Sequence, residues 1–86
     1  MNLGAGYYAD RAELVGIFDL DKTTEEKITR DFLAKAEKAG QVVAAGNELP
    51  KSFLVCAGAG KQTVYLSRFA PATLTKRAET DDGFSG

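Results

Sequence analysis

An apolar run, Leu14-Val15-Gly16-Ile17-Phe18, ends in Asp19-Leu20-Asp21-Lys22-Thr23. Two carboxylates two positions apart at a strand end are parts of a phosphoryl-transfer site. One Asp attacks phosphorus and the other handles the leaving-group proton, while a Lys and further acids hold charge and Mg²⁺. Lys51, Lys61 and the Asp81-Asp82 pair come downstream, in an order that imitates such a set. A second stretch, Gly58-Ala59-Gly60-Lys61-Gln62-Thr63, has the glycines and lysine of a phosphate-cradling loop. Cys56 is the single thiol.

Neither phosphate pattern is complete. Asp19-Leu20-Asp21-Lys22-Thr23 is similar to the first motif of the haloacid-dehalogenase-like phosphatases, but that fold needs several strand–helix–strand crossovers of about 30 residues each. Only one convincing helix lies between residues 20 and 70, and Asp81-Asp82 sits in an acidic tail unsuited to fixed metal geometry. The phosphatase reading is therefore rejected. The expected role of Asp19 and Asp21 is to end a strand beside a helix N-terminus, where negative charge is favourable. In the second stretch, Val55 stands where the phosphate loop needs Gly, and Gln62 where it needs Ser or Thr. A strand-like run comes after it, so a hairpin connection is expected. Cys56 lies in an apolar run and reads as a small buried side chain. No enzyme activity, cofactor or small-molecule substrate is expected.

Composition narrows the remaining classes. The chain of 86 residues has room for one modest core, and its apolar fraction of 44% is that of a globular domain. With one Cys and no His, there is no intrachain disulfide and no ligand set for structural zinc. No basic segment followed by a long apolar stretch opens the chain, and no apolar run approaches the roughly 20 residues a spanning helix requires. A cytoplasmic protein without membrane contact is the expectation.

The elements that must position these residues read as α+β. Residues 2–9 form one or two short strands broken by glycine; Tyr7 and Tyr8 there are sheet surface or subunit contact. Leu14 to Leu20 reads as a strand covered on both faces. Next comes a helix over 24–39, with Thr23 as N-cap, Glu26 completing a capping box, and Ile28, Phe32, Leu33 and Ala36 as its apolar stripe. Gly40 stops it. Strands over 41–45, 52–57 and 63–67 come next, separated by a loop at 46–50 and a hairpin at 58–61. Pro71 opens a short closing helix, about 71–79, with Leu74 and Ala78 inward. The expected architecture is a small mixed or antiparallel sheet packed by one main helix, in a single domain over 1–79, with a flexible acidic tail at 80–86.

Charge is divided along this frame. Residues 1–48 carry six basic and nine acidic side chains, whereas residues 49–78 carry Lys51, Lys61, Arg68, Lys76 and Arg77 and no acid. Lys51, Arg68, Lys76 and Arg77 are the candidate phosphate contacts. Five cations on one small subunit make a weak nucleic-acid ligand, so repetition in a homo-oligomer is expected to multiply them.

A family resemblance is carried by Leu3-Gly4, Leu14-Val15-Gly16-Ile17-Phe18-Asp19, Phe32-Leu33-Ala34-Lys35, Pro50-Lys51-Ser52 and Thr73-Leu74-Thr75-Lys76-Arg77-Ala78. The chain resembles the bacterial extracellular matrix regulatory proteins RemA and RemB, more the RemB type, over about residues 3–79. Through the RemA type the resemblance implies an oligomeric regulator of matrix and biofilm genes that binds double-stranded DNA; the RemB type is a paralogue of it. The RemA type has an arginine-rich loop before the strand at 52–57. Here that loop is Asn47-Glu48-Leu49-Pro50, where Glu48 would repel phosphate. The alternative is an oligomeric protein-interaction module without DNA binding.

Overall fold

A computed structural model describes residues 1–23 and 26–80, without the side chains of Thr23 and Thr80. The elements are β1 (Asn2–Gly4), β2 (Tyr7–Tyr8), a 3₁₀ turn at Arg11–Glu13, β3 (Leu14–Asp19), α1 (Leu20–Thr23), α2 (Lys27–Lys38), β4 (Val42–Ala45), β5 (Ser52–Gly58), β6 (Lys61–Ser67) and α3 (Pro71–Thr80). β1 and β2 pair as a small antiparallel ribbon. The other four strands form one mixed sheet in the order β3-β5-β6-β4, antiparallel except for the parallel pair β4–β6. The fold is α+β, as the element pattern implies.

β5 organises the molecule. Ser52 through Cys56 are all buried, because β5 is interior to the sheet and both of its faces are covered. Phe53 and Val55 point to one side and pack with Val64, Leu66, Ala36, Phe32 and Leu33 under α2. Leu54 and Cys56 point to the other and pack with Leu3, Ala9, Ala45 and Leu74 under α3 and the β1–β2 ribbon. Leu3, Leu54, Val64 and Leu74 are completely buried, each contributing about 1.5–3 kcal/mol of hydrophobic stabilisation. Leu74 and Ala78 face inward, as their spacing predicts.

Three expectations about the first half are corrected. β3 is an edge strand rather than one covered on both faces: Val15 is 67% exposed, Phe18 is exposed, and the register slips between Leu14 and Gly16. The continuous apolar run misleads because apolar side chains at an open edge look, in sequence, like a buried strand. The helix expected over 24–39 with Thr23 as cap begins only at Lys27. Thr23 ends the separate turn α1, and Glu26 occupies the cap position without a side-chain cap bond. Ile28, assigned to the apolar stripe, is 82% exposed, because α2 turns Phe32, Leu33 and Ala36 to the sheet and leaves its first turn beyond the core.

The end of α2 obeys its sequence. Gly40 has φ of 71°, Gln41 N donates to Ala36 O at 2.9 Å, and Gly40 N donates to Glu37 O at 3.0 Å, which closes the helix by a Schellman motif. The segment 81–86, with most of the expected acidic tail and the Asp81-Asp82 pair, lies outside the described residues, and Thr80 belongs to α3. No helix among the described residues is long and apolar enough to cross a membrane.

Candidate nucleic-acid interface

β5 and β6 pair from Gly58↔Lys61 at the hairpin to Ser52↔Ser67 at the other end of the sheet. Lys61 stands at the hairpin end. Lys51 and Arg68 flank the last pair, and Lys51 N donates to Ser67 O at 2.8 Å. Seven residues of strand separate the two ends by about 20 Å. Lys61 is thereby removed from the other cations, while Lys51 and Arg68 adjoin the last pair at the same end of the sheet.

Two buried serines fix the junction between β6 and α3. Ser52 Oγ donates to Phe69 O at 2.7 Å, Ser67 Oγ donates to Leu3 O at 3.0 Å, and Phe69 N donates to Ser67 Oγ at 3.2 Å. The junction is thus tied to both the sheet and β1. Phe69 packs against the core beneath α3 and lies so close to Gly4 (φ of 96°) that a Cβ there would sit 2.9 Å from the ring. Gly4 is required twice over, by its backbone conformation and by that approach.

The Phe69 ring gathers two of the four candidate residues. The Arg68 guanidinium carbon is 4.8 Å from the ring centroid and that of Arg77 is 4.3 Å, both cation–π distances. Arg77 Nη1 also donates to Asn2 O at 3.4 Å. Lys76 is exposed on α3 and precedes Arg77 in sequence, but successive helical residues do not face each other, so the ring does not gather it. Arg68 Nη1 lies 3.2 Å from Glu48 Oε2, and both side chains are substantially exposed. Such a surface ion pair contributes about 0–1 kcal/mol. In sequence, Glu48 is only a group that repels phosphate; its pairing with Arg68 is visible in the structure alone, as are the roles of Phe69, Ser52 and Ser67. A β-strand followed by Arg-Phe carries no local signal for that network, which depends on contacts with β1 and β5.

The phosphoryl-transfer residues are divided. Asp19 and Lys51 share one sheet end, since Leu20 N donates to Lys51 O at 2.9 Å, whereas Lys61 is at the other. Asp19 Oδ1 accepts N–H bonds from Asp21 at 2.9 Å and Lys22 at 3.1 Å, and so caps α1. Among the described residues, no group of three or more His, Cys, Asp or Glu side chains is placed to hold a metal ion. Cys56 is buried, and burial, reinforced by the nearby charges of Glu13 and Asp10, pushes its thiol above its ordinary pKa. That favours the protonated, unreactive form.

No protein-family model, curated protein or solved structure matches the chain.

A second surface is apolar. Val15, Phe18, Ile28, Phe32, Phe53 and Val55 line an open groove of about 410 Å³ between the β3 edge and the first turns of α2. Phe18 stacks on Phe53 with ring centroids 5.0 Å apart. Tyr7 and Tyr8 are both exposed on the β1–β2 ribbon, outside this groove.

Proposed function

We propose that the protein is a homo-oligomeric regulator that binds double-stranded DNA through Lys51, Arg68, Lys76 and Arg77. The observation that carries this reading is the pair of guanidinium groups held on Phe69, at the end of the sheet where the Lys51 backbone bonds Ser67. Guanidinium groups anchored on a ring have lost part of their freedom in advance, and a planar fork suits phosphate oxygens. These contacts position a protein on the duplex and read no sequence by themselves. The resemblance to RemA and RemB points the same way and supplies the regulatory context. A cytoplasmic location belongs to the same reading.

One subunit offers about four phosphate contacts, too few for tight binding at physiological salt. Assembly multiplies them, and the exposed groove at the β3 edge supports a second copy as its occupant. That groove equally suits the alternative, an interaction module that assembles without nucleic acid. The phosphatase reading is not adopted, because Lys61 stands at the opposite end of the sheet from Asp19.

A salt titration of duplex binding separates the two surviving readings. DNA binding predicts that affinity falls linearly on logarithmic axes as salt rises, and that Lys76→Glu or Arg77→Glu weakens it at every salt concentration. No retention of any duplex at low salt would favour the interaction module.

A further inference from the structure

Glu48 is the only acidic residue between Glu37 and Glu79. In a stretch otherwise rich in cations, this one carboxylate sits on Arg68, with Oε2 3.2 Å from Nη1. Arg68 in turn rests on Phe69, whose ring also carries Arg77. A carboxylate and a phosphate make the same demand on a guanidinium: both present paired oxygens to its N–H fork. Glu48 therefore occupies the position a phosphodiester oxygen would take.

We propose that Glu48 is a built-in competitor, an intramolecular stand-in for phosphate that the polyanion must displace to engage Arg68. The inference rests on the DNA-binding reading and adds a regulatory element to it. Displacement is feasible because both partners reach solvent, with the Arg68 and Glu48 side chains 43% and 67% accessible, so the pair is weakly held and screened by salt. The carboxylate also acts selectively. It is placed on Arg68 and not on Arg77, whose guanidinium hydrogen-bonds the Asn2 carbonyl. A partner with closely spaced anionic groups, such as a duplex backbone, can satisfy several cations at once and outcompete a single tethered carboxylate. An isolated anion cannot. The loop thus raises the threshold for non-specific contact while leaving multivalent contact possible.

The test uses the full chain, a random-sequence DNA duplex and a double-mutant cycle between Glu48→Gln and Arg68→Gln. Glutamine keeps the size of Glu48 and removes its charge at an exposed position, and a thermal melt checks that the fold is kept. Glu48→Gln is expected to tighten duplex binding about two- to fivefold for each subunit touching the duplex. That gain should vanish in the Arg68→Gln background. An unchanged affinity, or an equal gain with and without Arg68, overturns the competitor role while leaving DNA binding intact. Failure of both wild type and Glu48→Gln to retain the duplex at low salt overturns the competitor role and the DNA-binding reading together.

Discussion

Ser67 is fully buried, and its hydroxyl both donates to Leu3 O and accepts from Phe69 N. Removing that oxygen leaves a buried carbonyl and a partly buried N–H without their partner, which costs about 1–3 kcal/mol. Ser67→Ala is therefore expected to lower the midpoint of urea unfolding without changing the slope, and to weaken duplex binding at temperatures where the variant is still folded. A variant as stable as wild type, with the same affinity, would remove Ser67 from the support of Phe69. The cations themselves are legible in the sequence, since their types and their separation from acid can be read directly along the chain. What holds them is not. Ser52, Ser67 and Phe69 act through partners 17 and 64 positions away, and Gly4 meets the Phe69 ring from the far end of the chain. No local spacing encodes contacts of that range. Asp19 illustrates the converse: a strand-end carboxylate two and three residues before helical N–H groups is a local cap, and local chemistry accounts for it.

At the scale of elements, the β5–β6 hairpin is readable because Gly58-Ala59-Gly60-Lys61 separates two strand-like runs. Its turn is strained at one residue. Ala59 has φ of 52° and Gly60 has φ of 75°, the left-handed pair of a type I′ turn. Alanine in that region costs about 1–2 kcal/mol, whereas Asn tolerates it. Ala59→Asn is expected to stabilise the fold by about 1 kcal/mol, measured by chemical denaturation. A loss of stability would contradict the turn assignment. The closing helix α3 and the Gly40 stop of α2 are equally legible, through Pro71 and through the glycine that ends an apolar stripe. The start of α2 is not, because Thr23 and Glu26 have the spacing of a capping box while the chain makes a separate turn, α1, at Leu20–Thr23. β3 misleads for a different reason. Its apolar composition reflects a groove at a sheet edge, and sequence alone does not distinguish an edge from an interior position.

For the whole molecule, a small core and a four-stranded sheet whose outer strands among the described residues are β3 and β4 fit the proposed assembly, which would cover apolar surface. Ile28 on α2 and Val15 on β3 flank the groove that a second copy would cover, and each is more than half exposed. Ile28→Lys is expected to lower the sedimentation mass toward the 9.2 kDa subunit at micromolar concentration, with little loss of subunit stability. Wild type sedimenting only as that subunit would remove oligomerisation from the account. DNA binding by the basic end of the sheet stands or falls on where a polyanion lands. Titration of a short DNA duplex into isotopically labelled protein, monitored by amide NMR shifts, tests it most directly. The largest shifts are expected at Lys51, Arg68, Phe69, Lys76 and Arg77. Shifts concentrated at Lys61, or along β3 and α2, or none at all, would contradict it.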